Sequence, residues 1–130
     1  MTTLLSLSPS RGRLFKIFTD LGPYFRKLES TENNFFFDCL EVCIDAEKEP
    51  EQREFFGWWL IVTRSEDGFV YERFNGRYNL EGKWVACKIK KKDQLVLDAS
   101  FELFFDRLKS LIDTEAGFCL TSAEAVLAEV

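Results

Sequence analysis

Residues Phe55 to Thr63 read Phe-Phe-Gly-Trp-Trp-Leu-Ile-Val-Thr, a run that is apolar at odd and even positions alike and short for a helix. Period alone does not settle so short a run, but its length fits a central strand covered on both faces. Ser65-Glu66-Asp67-Gly68 follows as a strong turn signal, and Phe69 to Asn75 then reads as the paired strand. Parity assigns the faces of this hairpin. A two-residue Asp67-Gly68 turn and a four-residue turn from Ser65 to Gly68 both place Trp59, Ile61, Val70 and Phe74 on one face. Trp58, Leu60, Val62, Phe69, Tyr71 and Arg73 then share the other, and only a three-residue loop reverses the assignment. Either way, large aromatic residues lie on both sides of the sheet.

The flanking segments complete the order of elements. Ser8-Pro9 is a helix opening, since serine caps free amides and proline at the first position loses no hydrogen bond. Leu14, Phe15, Phe18 and Leu21 recur at helical spacing until Gly22-Pro23 interrupts them, and Tyr24, Phe25 and Leu28 suggest a second short turn of helix. From Phe35 the period changes to that of a strand, with Phe36, Leu40, Val42 and Ile44 on one side. Asp45 to Glu54 forms an acidic loop around Pro50. Trp84 to Ile89 alternates, with Val85, Cys87 and Ile89 as its core side, and Lys91-Lys92-Asp93-Gln94 turns the chain into a fifth strand at Leu95 to Ala99.

After Asp98 or Ser100, residues Phe101, Phe104, Phe105, Leu108, Leu111 and Ile112 trace one helix face, with Glu102 near its start and Lys109 toward its end suiting the dipole. Gly117 stops that helix, and Thr121 with Glu124 forms a capping box for a last short one bearing Val126, Leu127 and Val130. The expectation is a single α+β domain over residues 1–130. It consists of an antiparallel meander of about five strands flanked by N-terminal and C-terminal helices, with the long C-terminal helix packed on one sheet face.

Composition narrows the function. The chain has no histidine, which removes Ser-His and Cys-His nucleophile pairs and histidine-ligated zinc, and the carboxylates are scattered. Asp38 and Glu41, three apart in a strand, face opposite sides, and no phosphate-binding loop is present. The cysteines at 39, 43, 87 and 119 make no CxxC pair; they read as reduced, half-buried packing residues, with Cys39 and Cys43 on one face but too far apart for a disulfide. No cofactor or metal is expected. Met1 to Ser8 is not a signal peptide and no segment approaches a membrane span, so the expected location is cytoplasmic.

Fourteen phenylalanines and three tryptophans crowd a 130-residue core, so some aromatic surface should reach solvent. With a net charge of −5, the expected role is an acidic protein-protein interaction module, such as a chaperone, adaptor, inhibitor or assembly factor. Its partner would be another protein or a second copy of the chain, bound through Trp59, Ile61, Phe74 and Trp84 on the second sheet face. In size and acidity the chain resembles bacterial secretion chaperones or toxin-immunity proteins, although five meandering strands depart from the interrupted sheet of those chaperones. A first alternative is a single-stranded nucleic-acid platform of Trp84 with Lys88, Lys90, Lys91 and Lys92, where bases stack and lysines meet phosphates. A second is an enzyme or small-ligand site in an aromatic-lined pocket.

Overall fold

The computed structural model describes residues 10–31, 33–65, 68–116 and 120–122. Helix α1 (Arg11–Asp20) opens at Ser10, which is extended and whose hydroxyl accepts the Arg13 amide at 3.2 Å. The expected cap at Ser8-Pro9 lies outside the described residues. Gly22, at φ +148°, ends the helical segment in a conformation that a side chain would strain.

Tyr24 to Arg26 do not form the expected helical turn. A turn at Pro23-Tyr24 leads instead into pairing beside the first strand: Phe25 bridges Phe37, the Arg26 amide donates to the Phe36 carbonyl at 2.8 Å, and the Asp38 amide donates to the Tyr24 carbonyl at 2.9 Å. This path sends the Phe25 ring inward against Phe15 and Phe37, at 5.0 and 5.3 Å between centroids, which a helical turn would not combine with strand pairing. A single 3-10 turn comes later, at Lys27–Glu29, and leaves Leu28 exposed.

Strands β1 (Asn34–Cys43), β2 (Phe55–Ser65), β3 (Gly68–Tyr78) and β4 (Trp84–Ala86) form an antiparallel meander in that order. Helix α2 (Lys91–Ala116) follows, and β5 (Leu120–Ser122) returns parallel to β3. The β2–β3 register pairs Trp59 with Phe74, Trp58 with Asn75 and Ser65 with Gly68, so the faces are those that parity assigns. Glu66, Asp67, Gly117 and the residues of the expected last helix after Ser122 lie outside the described residues.

Three expectations change. Leu95 to Ala99 are helical, because Leu97 continues the buried stripe of Phe101, Phe104, Leu108 and Ile112 at helical spacing. The fifth strand is therefore β5. Helix α2 consequently starts at Lys91, which puts Glu102 in its middle and leaves Asp93 as the acidic residue of its first turn. The segment after Trp84 pairs only as far as Ala86; Val85 and Cys87 are exposed, and of the expected core side only Ile89 packs inward. A β-bulge between Leu40 and Val42 inserts Glu41, so Val42 pairs with Phe56 on the core face while Cys43 pairs with Phe55 on the other. Phe36 and Leu40 thus do not share a face with Val42, and Cys39 and Cys43 lie on opposite faces.

Both helices pack on the same face of the sheet. From α2, Phe104 meets Phe37, Trp58 and Tyr24 at 5.4, 5.1 and 4.8 Å; from α1, Phe18 meets Phe35 and Phe37 at 5.1 and 5.3 Å. Arg73 clamps α2 from beneath, its guanidinium 2.8 Å from Asp98 and 4.3 Å from the centre of the Phe101 ring. The apolar doubling of β2 is therefore not that of a strand covered on both sides, since no described helix crosses the second face. Among the described residues no helix is long and apolar enough to cross a membrane.

Candidate functional site: an open aromatic cleft

The second face gathers alternate residues of four strands. Phe36, Asp38 and Leu40 come from β1, Gly57, Trp59 and Ile61 from β2, Phe74, Gly76 and Tyr78 from β3, and Trp84 from β4. Three of the four residues singled out from the sequence form a row. The Phe74 ring stacks on Trp59 at 5.2 Å, Trp59 stacks on Trp84 at 5.0 Å, and the edge of Tyr78 meets Trp84 at 5.2 Å. Ile61, the fourth, stands beside them, paired with Phe36 on the adjacent strand. All four are half-buried, whereas Trp58 is fully buried on the core side.

A glycine pair makes room for this arrangement. Gly57 and Gly76 face each other across β2 and β3. A Cβ on Gly57 would stand 2.7 Å from the Trp84 ring and 2.1 Å from the Cys39 carbonyl oxygen, and one on Gly76 would stand 2.2 Å from the Val85 carbonyl oxygen. Gly57 thus leaves room for the Cη2 tip of the Trp84 indole, and Gly76 for the close approach of the β4 backbone. Such glycines in a strand mark close approach, a signal present in Phe-Phe-Gly-Trp-Trp and in Asn-Gly-Arg.

Asp38 holds the rim. It is nearly buried, with its side chain 7% exposed, and its carboxylate accepts hydrogen bonds from Arg26 Nε and from Trp84 Nε1, the latter at 2.8 Å. One carboxylate on β1 thus ties the N-terminal segment to Trp84 of β4, whose ring reaches over β3 and β2. The cleft has a volume of about 690 Å³, and the charges on its walls nearly balance, with Arg26 and Lys83 against Glu29, Asp38 and Glu81.

Arg26, Asp38, Phe36, Leu40 and Tyr78 were not among the residues singled out from the sequence as partner-binding. Asp38 carried a usable signal, since a carboxylate between Phe36 and Leu40 on one strand face needs a buried partner. Arg26 carried none, because its reach depends on the path after Pro23.

The four lysines of the nucleic-acid alternative lie apart from the cleft. Lys88 and Lys90 lie in the loop before α2, Lys91 and Lys92 begin that helix, all four are exposed, and none lines the cleft with Trp84. For the enzyme reading, the described residues offer thiols and scattered carboxylates. Cys39 lies on the core side, where burial pushes its thiol up to about 11 from an ordinary 9.0, so it is a poor nucleophile. Among the described residues no group of three or more histidines, cysteines and carboxylates is placed to hold a metal.

Residues 1–130 match the family described as "Sigma factor-binding transcriptional regulator Crl". The chain is 39% identical over 126 residues to the sigma factor-binding protein Crl of Photobacterium profundum, spanning 94% of this chain and 95% of that protein. It is 43% identical over 84 residues to the protein of the same name from Vibrio vulnificus, 65% of each. To that of Vibrio cholerae it is 35% identical over 104 residues, 80% of this chain and 81% of the other. The reading as a protein-binding module stands, and the compositional resemblance to secretion chaperones and immunity proteins gives way to this match over the whole chain. This chain belongs to the Crl family of sigma factor-binding transcriptional regulators, a family of binding proteins and not of enzymes.

Proposed function

We propose that this chain binds a sigma factor through the open face of its sheet and thereby regulates transcription in the cytoplasm. Trp59, Phe74 and Trp84 are the apolar anchors, and Ile61 extends the contact toward Phe36. The observation that carries this reading is that both described helices sit on the opposite face, leaving a stacked aromatic row reachable from solvent. Half-buried aromatic residues rimmed by polar groups are the surface type that supplies binding energy in protein interfaces. Arg26, Lys83, Glu29 and Glu81 at the rim set partner orientation and encounter rate more than affinity.

The test is a titration of purified sigma factor into the chain and its variants, read by calorimetry. Trp59→Ala should weaken binding by about 2 kcal/mol, roughly thirtyfold, and Lys91→Ala by much less. Equal affinities for the two variants would remove the aromatic face from the interface. Loss of binding on Lys91→Ala together with salt-sensitive RNA binding would return the nucleic-acid alternative.

A further inference from the structure

A second apolar surface lies around the edge of β1 from the cleft. On α2, Leu95, Val96 and Leu103 point outward and are 62%, 42% and 74% exposed, although the helix already buries a full stripe inward. Leu95, Ala99 and Leu103 recur every four residues, a row about 12 Å long in which a small residue separates two large ones. Tyr24, Cys39 and Glu41 form the facing wall of a groove of about 600 Å³. Folding gains nothing from leucines left in water in this way.

Alternation along β1 joins this groove to the cleft: Asp38 and Leu40 line the cleft, while Cys39 and Glu41 line the groove. In the segment beside them the turn at Tyr24 does the same, so that Tyr24 lines the groove and Arg26 the cleft. A partner straddling this edge touches both apolar surfaces at once. Glu41 is the charged residue among the described groove walls, so the complementary group is a cation. A second copy of a chain of net charge −5 is a poor match for that wall.

We propose that the groove between α2 and the edge of β1 seats an amphipathic helix of the sigma factor, its apolar side on Leu95, Val96 and Leu103 and a lysine or arginine on Glu41. This rests on the sigma-factor reading above. The occupant is helical because a ridge repeating every four residues accepts the matching ridge of another helix. Strand addition is opposed by the bulge at Glu41, which breaks the edge where a new strand would pair.

The experiment titrates sigma factor into the full chain and into Leu95→Ser, Leu103→Ser and Glu41→Lys, with thermal midpoints measured on each. The leucines are exposed, so their variants should melt with the unaltered chain while binding about tenfold or more weakly. Glu41→Lys should weaken binding and flatten its salt dependence. Unaltered affinity in both leucine variants overturns the groove but leaves the cleft standing, provided Trp59→Ala still weakens binding. Failure of the unaltered chain to bind sigma factor overturns both readings. If sedimentation shows a dimer that Leu103→Ser converts to monomer, the groove is a self-interface and the helix proposal falls.

Discussion

Replacing Asp38 tests how the cleft is held open. Its carboxylate, 7% exposed, accepts from Arg26 Nε and Trp84 Nε1, and hydrogen bonds to a charged group contribute about 1.5–3 kcal/mol each. The full sum does not apply to Asp38→Ala. Arg26 is 44% exposed and Trp84 half-buried, so water recovers part of what each donor loses. The expected cost is about 2–3 kcal/mol, which at a urea slope of about 1–3 kcal/mol per molar shifts the unfolding midpoint by roughly 0.7–3 M. Asp38→Asn keeps the volume and one acceptor oxygen, and should fall between the two. Sigma-factor affinity should fall in the same order, because Trp84 and the Tyr24–Arg26 segment both lose their tether. A midpoint for Asp38→Ala equal to that of the unaltered chain, with equal affinity, would refute the argument.

Three further outcomes follow from other parts of the molecule. Phe104, 1% exposed and in contact with Phe37, Trp58 and Tyr24, should cost about 3–5 kcal/mol when replaced by alanine; a loss under about 1 kcal/mol in chemical denaturation would remove α2 as the lid of the core. Gly57→Ala should destabilise by about 1–3 kcal/mol and displace the Trp84 ring, read as a change in near-ultraviolet circular dichroism, because its Cβ meets both a backbone carbonyl and the indole. The Cys39 thiol, pushed up to about 11 chiefly by burial, stays protonated in the folded chain while an unfolded thiol ionises near 9.0. Its contribution to stability is therefore complete below about pH 9 and is lost as pH rises toward 11, and iodoacetamide at about pH 8 should label exposed Cys87 well before Cys39.

The hairpin at the centre of the fold was legible because strand parity depends only on whether the loop is even or odd, and Ser65 pairs with Gly68 as an even loop requires. The face carrying Trp59, Ile61 and Phe74 followed from that alone. The start of α2 was not legible, since Leu95-Val-Leu has no period of its own; only when Leu97 is counted with Phe101, Phe104 and Leu108 does the helical stripe appear. The bulge at Glu41 had no local signature. It changed the face of every later β1 residue, which moved Val42 inward and Cys43 outward. Which side of the sheet α1 takes was likewise undetermined. It depends on Phe15 and Phe18 meeting Phe35, a contact between segments that no pattern in either one encodes.

The location of the sigma-factor interface is tested most directly by the three indole N–H resonances of the chain during titration with unlabelled sigma factor. Trp58 Nε1 donates to Ser100 Oγ at 3.3 Å within the core, Trp84 Nε1 donates to Asp38 at the cleft rim, and Trp59 stacks between Trp84 and Phe74. Binding at the cleft should shift or broaden the Trp59 and Trp84 signals strongly and at low ratios, while Trp58 follows weakly. Saturable binding that perturbs Trp58 and leaves Trp59 and Trp84 in place would contradict the account.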